Sequence, residues 1–79
     1  MTLSCSQCIE IVAMAMEIQK SIEKTPYGQK YNDVVEKNGS IIHYIIDEEG
    51  DVTIERVFVQ NQESNKLADL LTDYFANRL

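Results

Sequence analysis

The chain has 79 residues, 44% hydrophobic and 25% charged, with one proline, three glycines and a net charge of −6. A chain of this length forms one domain at most and buries only roughly 60–65% of the surface its unfolded form exposes, so its core needs a staple such as a disulfide, a metal or a partner chain. Its acidity works against direct binding to nucleic acid or an anionic membrane, and no apolar run approaches the ~18 residues of a membrane span.

Neither a membrane span nor a signal peptide is expected, because the most apolar stretch, IEIVAMAMEI, is broken by Glu10 and Glu17 and lacks a basic leader. The default compartment is cytoplasmic, where thiols stay reduced. The charge is uneven: residues 1–38 carry five acids and four bases, residues 39–79 eight acids and three bases. The excess acid of the second half favours a basic partner.

Ser4-Cys5-Ser6-Gln7 has the spacing of a capping box, with Leu3 and Cys8 at the positions of a hydrophobic staple. Cys8, Ile11, Val12, Ala15, Ile18 and Ile22 then recur at three- and four-residue steps. Ile9 and Met16 widen this face on one flank and Met14 on the other. The spacing predicts a helix over 5–24.

Thr25-Pro26 ends that helix and is able to start another, with Thr25 as N-cap and Pro26 in the first turn. Tyr27, Tyr31, Val34 and Val35 supply a short amphipathic stripe, and Asn38-Gly39 a left-handed C-cap, so a short second helix is predicted.

SIIHYIIDEEGDVTIERVFV reads as a β-hairpin with a three-residue loop and Gly50 at its left-handed position. Pairing Asp47 with Asp51 puts Ile46 opposite Val52, Tyr44 opposite Ile54, Ile42 opposite Arg56 and Ser40 opposite Phe58. The other face then holds Ile45 opposite Thr53, His43 opposite Glu55 and Ile41 opposite Val57, with Val59 beyond.

After the polar connector 60–64, with Ser64 or Asn61 as cap, Leu67, Leu70, Leu71, Tyr74, Phe75 and Leu79 define a final amphipathic helix whose Lys66, Asp69, Thr72, Asp73 and Asn77 face water. The class is α+β: helix, short helix, hairpin, helix, with the helices on one face of the hairpin. A bare two-stranded sheet is seldom stable, so either a second copy pairs edge to edge into a four-stranded sheet or a target covers it. Ile41, Ile45, Val57 and Val59 form the candidate self-interface.

Cys5-Ser6-Gln7-Cys8 admits three chemistries. A thioredoxin-like couple needs a core strand directly before it, and four residues do not make one. A zinc site needs four ligands, which Cys5, Cys8, His43 and a carboxylate would have to supply. The third reading makes both cysteines small apolar fillers of a helix start, with Cys5 open to thiol chemistry by its place at the helix N-terminus.

His43 opposite Glu55 forms a cross-strand pair that would favour the imidazolium, but no nucleophile or oxyanion donor accompanies it. Asp47, Glu48, Glu49 and Asp51 crowd the hairpin turn without the alternation of a calcium loop. Together with Glu55, Glu63, Asp69 and Asp73 they make a candidate electrostatic surface that imitates nucleic-acid phosphates toward a basic groove. No catalytic residue is assigned, no cofactor is expected, and no phosphate loop or hydrolase motif occurs in the chain.

The segment IIHYIIDEEGDVTIERVF is similar to the closing strand pair of RelE/ParE-type toxins, over residues 41–58. The nuclease members of that family act through basic residues near the sheet, and here Arg56 alone stands there. In size, charge and lack of catalytic parts the chain is similar to small phage inhibitors of host defence or nucleic-acid enzymes. The expected function is a non-enzymatic interaction module that blocks a basic protein surface. The alternatives are a homodimeric structural or regulatory module and, third, a metal or redox protein.

Overall fold

The computed structural model describes residues 4–77. The elements are α1 (Cys5–Lys24), β1 (Tyr31–Lys37), β2 (Ser40–Ile46), β3 (Val52–Val59), β4 (Gln62–Glu63) and α2 (Asn65–Ala76). The strands form one antiparallel sheet in the order β1-β2-β3-β4, so the protein is α+β as the sequence pattern requires.

The capping box is present at α1. Ser4 Oγ accepts from the Gln7 N–H at 3.2 Å, and Gln7 Oε1 accepts from the Ser4 N–H at 2.8 Å. Leu3, the outer half of the expected staple, lies outside the described residues, as does Leu79 of the final helix. At the other end Thr25 closes α1, its N–H and its hydroxyl both donating to the Ser21 carbonyl. The α2 cap is Ser64, whose Oγ accepts from the Leu67 N–H.

The short second helix is not formed; residues 31–37 are strand β1. Gly28, at φ +91, stands in a conformation that ends helical geometry, and Asn38 and Gly39, both at positive φ, join Lys37 to Ser40 in a two-residue hairpin turn rather than capping a helix. Val34, Val35 and Tyr31 carry β propensity that the helical reading passed over. The four-stranded sheet therefore lies within one chain and needs no second copy to complete it.

The central hairpin turns as expected. The Asp47 N–H donates to the Asp51 carbonyl, the Gly50 N–H donates to the Asp47 carbonyl, and Gly50 sits at φ +88. Asp47 Oδ1 accepts from the N–H groups of Glu49 and Asp51, which fixes the loop from inside. The Gly28 N–H donates to the Glu48 carbonyl and ties the α1–β1 connector to this tip.

Beyond Tyr44↔Ile54 the register departs from the simple hairpin. His43 pairs with Arg56, Ile42 with Val57, Ile41 with Phe58 and Ser40 with Val59, so Glu55 is the extra residue of a β-bulge. The bulge reverses the alternation of β3, and Val57 and Val59 join Val52 and Ile54 on the helix side of the sheet, where all four are buried. Residues 60–63, expected as connector, include a second positive-φ turn at Gln60-Asn61 that brings β4 back against β3.

Both helices pack on one sheet face. Ile11, Met14 and Ile18 of α1 and Ala68, Leu71 and Phe75 of α2 meet Val35, Ile42, Tyr44, Ile46, Val52, Ile54, Val57 and Val59. Met14, expected on a flank, is the fully buried centre of α1. Burial pushes the Tyr44 phenol pKa up, and its hydroxyl donates to Ser21 Oγ at 3.1 Å. Thr72, expected in water, is half-buried and accepts from the Ile54 N–H at 3.1 Å. With β4 and the Ser64 N–H, which donates to the Val57 carbonyl, it seals the outer edge of β3.

Met14→Ala should lower the unfolding free energy by about 2–5 kcal/mol, measured by urea denaturation. Val57→Asp should abolish the cooperative transition, whereas Ile41→Asp, on the opposite sheet face, should keep it. A Val57→Asp variant that kept its cooperative transition would return β3 to the unbulged register.

Candidate functional site

The apolar residues of α1 span more of its circumference than one sheet face covers. Ile11, Met14 and Ile18 enter the core, and a second stripe, Ile9, Val12 and Met16, follows at the same three- and four-residue spacing but stays exposed. On α2, Leu67 is half-buried and Leu70 and Tyr74 stand exposed beside buried Leu71. Ser21 meets Tyr44, Thr72 meets Ile54, and Ser64 meets Val57, so the two helices cross the sheet in the same direction.

Between them lies an open trench of about 550 Å³. Ile11, Ala15 and Leu71 give it a floor, Val12, Met16, Leu70 and Tyr74 its walls, and Gln19, Lys20 and Glu23 a polar rim. Tyr74 is set edge-on against the buried ring of Phe75, with centroids 5.2 Å apart, which holds the wall at that point. A concave apolar surface with few polar groups at its margin is the form taken by binding grooves. Helical spacing alone does not tell which of two apolar stripes meets the sheet, so the sequence pattern does not separate these walls from the residues that enter the core.

The expected self-interface is not one surface. Ile41 and Ile45 lie half-buried on the open face of the sheet, while Val57 and Val59 are in the core, carried across by the bulge at Glu55. Register places Val34 and Phe58 with Ile41 and Ile45 instead. His43 lies opposite Arg56, not Glu55, so the expected proton-transfer pair is not assembled; its ring meets Phe58 edge-on at 6.1 Å. The Arg56 guanidinium stands over the Phe58 ring at 5.1 Å and grips Glu63 through two bonds of 3.2 and 3.3 Å.

The acidic residues are dispersed. Glu48, Glu49 and Asp51 are exposed at the hairpin tip, Asp47 is occupied within the turn, Glu55 marks the bulge, Glu63 is engaged by Arg56, and Asp69 and Asp73 lie on the outer side of α2. Cys5 and Cys8 are exposed on α1, across the sheet from His43, so these three do not converge on one ion. Among the described residues no group of three or more His, Cys, Asp or Glu side chains is placed to hold a metal, and no helix is long and apolar enough to cross a membrane.

No protein-family model, curated protein or solved structure matches the chain.

The Arg56 guanidinium, by its hydrogen bonds to Glu63, holds that carboxyl below its ordinary pKa. The folded value is the lower one, so the pair contributes stability above the unfolded pKa of Glu63 and loses it as pH falls through the folded value. In Arg56→Ala the Glu63 carboxyl should titrate at its ordinary position by NMR; an unchanged titration would remove Arg56 as the cause.

Proposed function

We propose that the protein is a non-enzymatic protein-interaction module that docks a partner's apolar helix in the trench between α1 and α2. The observation that carries this reading is the second apolar stripe of α1, which faces the exposed leucine and tyrosine of α2 across an open groove. An amphipathic helix binds such a groove through apolar anchors at three- and four-residue spacing.

The net charge of −6 and the exposed tip residues Glu48, Glu49 and Asp51 support a basic partner, with the acid acting at long range on approach rather than in the contact itself. Blocking of a basic surface, as an inhibitor does, is the activity this combination favours. The dispersal of the acidic side chains argues against a rigid copy of a phosphate row.

A leucine-striped helical peptide, made once with lysine flanks and once with glutamate flanks, tests both parts. Titration followed by NMR should shift the signals of Val12, Met16, Leu70 and Tyr74 with either peptide, with the lysine form binding more tightly at low salt. Shifts confined to Glu48, Glu49 and Asp51 would overturn the trench as the contact surface.

A further inference from the structure

We infer that the resident occupant of the trench is a second copy of this chain, docked helix layer against helix layer. This rests on reading the trench as the contact surface, and it names the occupant that holds the trench when no basic partner is bound. Ile9, Val12, Met16, Leu70 and Tyr74 are 51–69% exposed. At roughly 200 Å² for a large side chain, they leave on the order of 500 Å² of apolar surface open. That is the size of a functional patch on a monomer rather than of scattered surface leucines.

The area fits a symmetric dimer. Homodimer interfaces are about 65% apolar, and a standard interface covers about 800 Å² per partner, so an apolar patch of that order is the share such an interface requires. Charge points the same way. The charged side chains lining the trench, Lys20 and Glu23, are of opposite sign, so the lining carries no net charge to repel a second copy.

The other exposed face is less suited to self-contact. Ile41, Ile45, Val34 and Phe58 on the open side of the sheet are interleaved with His43, Arg56 and Glu63, and Arg56 already engages both Glu63 and the Phe58 ring. A twofold dimer uses the same patch on both copies. The helix layer offers a continuous one, in which the Ile9-Val12-Met16 ridge of one chain meets the trench region of the other.

Sedimentation equilibrium from micromolar to millimolar protein tests the inference. The native chain should dimerise. Met16→Lys should raise the dimer dissociation constant at least about a hundredfold, as for a central anchor lost on both sides of the axis. Leu70→Lys should do the same from the other helix, and Ile45→Lys, on the open sheet face, should not. Circular dichroism and urea midpoints establish that each variant is folded, since Met16 and Leu70 are outside the core.

A native chain that stays monomeric at millimolar concentration would overturn self-association. So would a dimer that survives both helix substitutions or is lost on Ile45→Lys. Titrating the leucine-striped peptide separates the two levels: a monomer that binds it at Val12 and Met16 overturns the second copy and keeps the trench. A chain that neither dimerises nor binds the peptide overturns both.

Discussion

Along a β-strand alternate side chains point to opposite faces, and β3 must nevertheless put Val52, Ile54, Val57 and Val59 on one face. The step from Ile54 to Val57 is odd, and the bulge at Glu55 absorbs it. Everything around the sheet follows from that slip. It completes the apolar surface on which both helices sit, and it moves Arg56 and Phe58 to the open face beside His43. A regular register would have buried the Arg56 side chain against the helices, where an unpaired charge is costly.

With the sheet face filled, the helices divide it. α1 lies over β1 and β2, and α2 over β3. Neither helix has enough sheet to bury its whole apolar circumference. Val12 and Met16 on one side and Leu70 and Tyr74 on the other therefore face each other across the trench. The surplus is compositional: α1 contains Ile9, Ile11, Val12, Met14, Met16, Ile18 and Ile22, more large apolar side chains than a helix over one sheet face uses. The proposed docking and self-association both draw on this mismatch between what the helices offer and what the sheet covers.

Much of this was legible in the residues. Helix ends are local chemistry, and Ser4 with Gln7, Thr25, and Ser64 each mark an end correctly because a cap involves only its near neighbours. The Asp47–Asp51 turn is equally local. The bulge had a trace, the adjacent polar pair Glu55-Arg56 set between two alternating apolar pairs, but choosing it over a regular register requires knowing that helices cover that face. β1 was harder. As an edge strand it buries Val35 alone, so its pattern is nearly blank, and Asn38-Gly39 serves a helix end or a hairpin turn equally well until the sheet is seen to need the strand. The trench was not separable from the core by spacing, since Met14 and Met16 satisfy the same helical period.

The parallel course of the two helices has an electrical consequence. Each helix carries partial negative charge at its C-terminus, and both C-termini point toward the end of the sheet that holds the Asp47–Asp51 turn. The α2 dipole and the ionised tip carboxylates add there, while Lys24 in the last turn of α1 offsets part of that helix's charge. That end of the sheet therefore attracts positive charge from beyond contact distance.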